Sequence, residues 1–206
     1  MVNILHIDSS PRSERSHSRE LSKEFVSGWK EAHPEDAIAY RDLGHYPVPH
    51  VDEAWIAAAF TPPETHTPEL TEALRISDEL IDEFLAADRY VFGVPMYNFN
   101  IPSTFKAYID QIVRANRTFS IDAQGNLKGL VEGKKAVIIT ARGSDFSATS
   151  PFAVYDFQEP YLRAIFGFIG ITDIQFINAN SLNQGDARTQ SLSEAQAAIQ
   201  NLITKW

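Results

Sequence analysis

Three short stretches of this chain concentrate the side chains that can do chemistry. The first, "SSPRSERSHSREL" from Ser9 to Leu21, carries Ser9, Ser10, Ser13, Ser16, His17 and Ser18 directly before an amphipathic run. Hydroxyls and free backbone N–H groups at a helix N-terminus bind an anion, and the helix dipole adds partial positive charge there. Arg12, Arg15 and Arg19 add basic character, so a phosphate is the natural occupant. The plainer reading is that Ser16 or Ser18 only caps the helix. The second stretch, "VPMYNFNIPSTF", ends an apolar run in Met96, Tyr97, Asn98 and Phe99. Gly, Asp and Ser are the usual material of a joining loop. Large flat side chains mixed with amides suit a flat ring with hydrogen-bonding edges, such as an isoalloxazine, although they could also fill core. The third, "TARGS", supplies Ala141, Arg142, Gly143 and Ser144. Gly143 permits close approach of a ligand to the backbone, or simply turns the chain.

Competing chemistries find little support. No G-x-G-x-x-G occurs, and "GLVEGKK" from Gly129 to Lys135 has the wrong spacing for a P-loop and precedes a strand. No G-x-S-x-G elbow accompanies the serines, and the six histidines lack metal-binding spacing. The absence of cysteine rules out disulfides, thiolate nucleophiles and Cys-ligated metals, and fits a reducing compartment. With 18 Lys and Arg against 27 Asp and Glu, the formal charge of −9 disfavours nucleic acid and anionic membranes as partners. The start "MVNILHIDSS" has no leader pattern, and no apolar run approaches the ~20 residues of a membrane span. A cytoplasmic, soluble protein is expected.

The elements that must position these stretches alternate between strand and helix. "NILHID", "RYVFGV", "KAVIIT" and "DIQFINA" read as buried strands, with a weaker one at Ala37 to Leu43. Leu21, Phe25 and Trp29 share a helix face, as do Phe105, Tyr108, Ile109, Ile112 and Val113. Thr67 with Pro68 marks a helix start. Ser103 is placed to cap the next helix, and Ser191 with Glu194 has capping-box spacing, with Ala198, Ile199, Leu202 and Ile203 as the apolar side. The pattern predicts an α/β fold, a three-layer sandwich around a mostly parallel sheet with helices on both faces, as one domain over residues 1–206; the order considered for its five strands is 2-1-3-4-5. Ligands then bind beyond the strands' carboxyl ends, where the order reverses and the three stretches meet. Two insertions interrupt the alternation: Gly44 to Thr67, and a hairpin turning near Gln124 to Asn126.

"VPMYNFNIPSTFKAYID", "ITARGS" and "YLRAIFGFIGI" together resemble the FMN-dependent NADH azoreductases, also described as FMN-dependent NADH:quinone oxidoreductases, of the flavodoxin-like fold. The similarity runs over nearly the whole chain. It implies a homodimer with tightly bound FMN, reduced by NADH or NADPH, delivering two electrons by a ping-pong mechanism to quinones and aromatic azo compounds. It also implies that Ser10, Ser16, His17 and Ser18 hold the ribityl phosphate, Met96 to Phe99 border the ring, and Ala141 to Ser144 flank its pyrimidine side. The family commonly has "SRGG" where this chain has "ARGS", and an aromatic residue where it has Ile121. Flavin N5 is the reaction centre in this reading, and no side chain acts as acid or base in hydride transfer. The chief rival is a flavodoxin-like electron carrier that turns over no small molecule; a flavin-free serine hydrolase is a more distant one.

Overall fold

The computed structural model describes residues 1–206. In chain order the strands are β1 (Asn3–Asp8), β2 (Ala37–Asp42), β3 (Arg89–Pro95), β4 (Phe119–Ile121), β5 (Leu127–Gly129), β6 (Lys135–Ala141) and β7 (Asp173–Ala179). The helices are α1 (His17–Ala32), α2 (Glu53–Ala59), α3 (Pro68–Ala86), α4 (Ser103–Ile112), α5 (Gln158–Ile169) and α6 (Gly185–Ile203). Five strands form one all-parallel sheet in the order β2-β1-β3-β6-β7, the predicted arrangement. The remaining pair, β4 and β5, forms the expected hairpin.

Alternation along β3 shows how the layers are filled. Tyr90, Phe92 and Val94 pack with Phe84, Phe105, Tyr108 and Phe166 of α3, α4 and α5, whereas Val91 packs with Leu21, Phe25, Trp29 and Ile199 of α1 and α6. Successive strand side chains point to opposite faces, and both faces here are covered by helices, so β3 is apolar throughout. The α5 segment "YLRAIFGFIGI" belongs to this core: Leu162, Phe166, Ile169 and Ile171 are buried.

Helix starts obey local chemistry with two departures. Thr67 caps α3 through a bond from Leu70 N–H, with Pro68 in the first turn, as expected. Ser103, however, is already helical; Pro102 takes the cap position, and its carbonyl accepts from Phe105 and Lys106 N–H at 3.0 Å each. Similarly α6 begins at Gly185, well before Ser191, with Asp186 in the first turn, where the dipole favours an acid. Ser191 and Glu194 thus lie inside the helix, Glu194 accepting from Gln190 at 2.8 Å, and the buried stripe is Ala195, Ile199 and Ile203 rather than Ala198.

The Gly44–Thr67 insertion is structured. It contains α2 and a 3-10 turn at Pro63–Thr65. Gln111 of α4 holds it from both sides, accepting from Trp55 Nε1 and donating to the Pro49 carbonyl, each at 2.9 Å.

Candidate active site

Strand order reverses between β1 and β3, so a crevice opens beyond the carboxyl ends of β1, β3 and β6. A cleft of about 630 Å³ lies there, a size suited to a small-molecule site. Ser10, Ser16 and His17 line one end; Met96, Tyr97, Ala141, Arg142 and Gly143 line the other.

At the first end the loop is fixed to β3, because Ser9 N–H and Ser9 Oγ both donate to the Gly93 carbonyl at 3.0 Å. Position 93 must be glycine: a Cβ there would stand 2.2 Å from Asp8 Oδ1. Ser16 is the N-cap of α1, accepting from Arg19 N–H, and its Oγ lies 3.3 Å from Ser18 Oγ. Capping does not exhaust the donors, however. The N–H groups of His17 and Ser18, at the positive end of the helix, have no partner in the chain. Arg12, Arg15 and Arg188 also line this end.

Arg19, counted above as basic character for the anion, faces elsewhere. Its Nε and Nη2 donate to the Ser10 carbonyl at 3.0 and 2.6 Å, and its guanidinium pairs with Asp42. Tyr40 accepts from Arg19 Nη1 at 2.9 Å and donates to Asp8 at 3.1 Å, while Ser22 donates to the other Asp8 oxygen at 2.8 Å. His45 joins Asp42 to Ser13. Burial pushes the Asp42 carboxyl up, but hydrogen bonds from Arg19 and His45 outweigh it and hold the pKa at about 2. Burial and the nearby Asp8 push the Tyr40 hydroxyl up to about 12. This polar scaffold beneath the loop was not foreseen from sequence, because its members are dispersed across β1, α1, β2 and the loop that follows.

At the other end Tyr97 and Asn100 exchange backbone hydrogen bonds at 2.9 and 3.0 Å and close a two-residue turn. Its central residues, Asn98 and Phe99, have φ of 47° and 69°. Asparagine tolerates this left-handed region; phenylalanine seldom does, and such positions store roughly 1–3 kcal/mol each. The turn leaves the N–H groups of Asn98 and Phe99 without partners in the chain. Phe99 stacks on Tyr155 at 5.3 Å and accepts from Phe157 N–H at 3.1 Å.

The third stretch divides in two. Gly143 N–H is unpartnered, and a Cβ at Gly143 would lie 2.5 Å from Asn183 Nδ2. The Arg142 guanidinium, by contrast, is only 1% exposed and bonds to Asp156 and Gln158 at 3.0 Å each, leaving its backbone to border the cleft. Burial lowers its pKa, against the opposing pull of Asp156 and Glu159. Ser18, Asn98, Phe99 and Ser144 adjoin the lining residues: Ser18 Oγ lies 3.3 Å from Ser16 Oγ, Asn98 and Phe99 follow Tyr97, and Ser144 follows Gly143, its carbonyl accepting from Ser181 N–H at 3.1 Å. Asp156, Gln158 and Asn183, which sequence reasoning missed, carry no local motif.

The donor set fits a phosphorylated tail joined to a flat ring. Two open amides and buried hydroxyls at a helix start face an anion, and at the other end Met96 and Tyr97 lie near open N–H groups of Asn98 and Gly143. Comparison with known proteins agrees with this geometry. The family model described as the flavodoxin-like fold matches residues 2–203. An FMN-dependent NADH:quinone oxidoreductase of Nostoc punctiforme is 86% identical over 206 residues, covering all of both chains. FMN-dependent NADH:quinone oxidoreductase 2 of Trichormus variabilis is 65% identical over 208 residues, again covering all of both. Among solved structures, an FMN-dependent NADH-azoreductase of Bacillus anthracis in complex with FMN superposes with a TM-score of 0.90 at 27% identity, over 100% of this chain and 99% of that one.

Proposed function

The chain belongs to the flavodoxin-like FMN-dependent NADH:quinone oxidoreductases, and on that premise we propose that it passes two electrons from NADH or NADPH through bound FMN to quinones and aromatic azo compounds. The observation that carries this reading is the cleft itself, with open helix-start amides at one end and an aromatic turn with unpaired N–H groups at the other. When bound, FMN supplies the redox chemistry, taking hydride from the nicotinamide and releasing electrons to the acceptor.

The protein's part is placement and electrostatics. Ser10, Ser16, His17 and Ser18 would hold the phosphate. Met96, Tyr97, Asn98 and Phe99 would border the ring, with Ala141, Arg142, Gly143 and Ser144 along its pyrimidine edge. The backbone N–H groups of Asn98 and Gly143 would stabilise negative charge as it develops there, and fixed donors need no rearrangement at that moment. Both reactants then use one face in turn. Steady-state rates with NADH and a quinone should give parallel double-reciprocal lines, and intersecting lines would count against a shared face.

A flavodoxin-like carrier is the weaker reading, since the relatives above are oxidoreductases by name. No helix is long and apolar enough to cross a membrane. We propose a single-domain enzyme of the cytoplasm. We also propose a homodimer. The exposed Phe152, Val154, Tyr155 and Phe157 offer an apolar surface for it. Light scattering behind size exclusion should return twice the chain mass.

A further inference from the structure

Gln158 is fully buried at the first position of α5, yet none of its side-chain polar atoms serves its own helix. Its Oε1 accepts from Arg142 Nε at 3.0 Å, and its Nε2 donates to the Val94 carbonyl at 3.2 Å. One amide therefore spans the roots of two loops, since Val94 leads into Pro95 and Met96, and Arg142 leads into Gly143. Three contacts reinforce the clamp. Met96 N–H donates to the Ala141 carbonyl at 2.9 Å, Phe157 N–H to the Phe99 carbonyl at 3.1 Å, and Arg142 Nη1 to Asp156 at 3.0 Å. Asp156 in turn accepts from the N–H groups of Gln158 and Glu159, which ties the guanidinium to the start of α5.

We propose that Gln158 is a positioning residue: with Arg142 it sets the spacing between the left-handed turn at Asn98 and Phe99 and the Gly143 loop. The proposal rests on the function inferred above, because spacing matters only if both loops face one ring. Gln158 touches neither cofactor nor substrate on this account. It acts through the aim of two backbone donors, Asn98 N–H and Gly143 N–H. A neutral ring makes small demands on that aim; a ring carrying extra negative charge makes large ones. Loosening the clamp should therefore weaken the reduced flavin more than the oxidised one, a signature that a loss of general stability does not produce.

Two variants test this. Gln158→Met removes both hydrogen bonds at similar length. Gln158→Asn keeps a neutral amide but is one methylene shorter, so it cannot reach Arg142 and Val94 together, and it adds no charge that would itself shift the potential. For wild type and both variants, FMN affinity is measured by quenching of flavin fluorescence, the midpoint potential by dye equilibration, and the fold by thermal melting. The expected result is one FMN per chain, oxidised-FMN affinity within about twofold of wild type, and reduced-FMN affinity lower by roughly tenfold, the worth of one charge-assisted hydrogen bond, read as a fall in potential. Equal losses for both redox forms, or an unchanged potential in Gln158→Asn, would overturn the proposal, and Gln158→Asn decides it even if Gln158→Met fails to fold. Wild-type protein that holds no FMN would instead remove the underlying function, and the proposal with it.

Discussion

The two ends of the cleft are built by different means. The end holding Ser10, Ser16 and His17 is a helix start: its open donors follow from the geometry of any α-helix, and its shape is maintained by the Arg19 and Asp42 scaffold beneath the Ser10 carbonyl. The end formed by Asn98, Phe99 and Gly143 is two loops, held by contacts from a third segment around Tyr155 to Gln158. The donors of the first end come from local helix geometry, whereas those of the second are aimed by tertiary contacts. Affinity for the cofactor should therefore depend mainly on the first, and reactivity on the second.

Removing hydroxyls at the helix start is the strongest way to sharpen this contrast. Ser16→Ala combined with Ser18→Ala should raise the FMN dissociation constant by roughly 10- to 100-fold, since a hydrogen bond to a charged group is worth about 1.5–3 kcal/mol. Flavin fluorescence titration reads the affinity, and reduction by NADH of the flavin that still binds should keep its rate. Asn98→Ala should show the opposite signature. Alanine resists φ of 47°, so the turn shifts and a donor loses its aim. Stopped-flow reduction should slow by about tenfold on the scale set by charge-stabilising donors, with little loss of FMN affinity; an unchanged rate would remove Asn98 from the account.

Smaller effects separate the scaffold from the loops. The Asp42 carboxyl is held at about 2, below its ordinary 3.8. A depressed folded-state pKa contributes stability that is fully present above about pH 4 and is lost as the pH falls through 2. Asp42→Asn should therefore flatten the pH dependence of the melting temperature between pH 4 and 2 while leaving the Asn98 turn intact; an identical profile would show that the Arg19 pair contributes nothing. Smallest of all, Phe99→Gly relieves about 1 kcal/mol of backbone strain and loses a similar amount of stacking on Tyr155, so the melting temperature should barely move. A large fall would mean that Phe99 packs as core.

The contrast also explains what could be read in the chain beforehand. The parallel sheet was visible in apolar runs alternating with helices, and the anion site in the serines before Leu21, because both depend on neighbours in sequence; the strand order is set by pairings far apart in the chain and no single run encodes it. Arg19 was misjudged because its partners lie on β2, and type alone does not say whether an arginine faces a ligand or an aspartate. Gln158 and Asp156 left no trace because their role is to join segments far apart in the chain. The start of α6 was missed because a Ser-x-x-Glu spacing marks a helix start only where the chain is not already helical.

The most direct measurement is the absorption spectrum of the purified protein, incubated with FMN, freed of excess, and then mixed with NADH under argon. The account predicts a yellow protein with one FMN per chain whose visible band bleaches on NADH and returns when a quinone is added. A colourless protein, or a yellow one that NADH leaves unchanged, would contradict it.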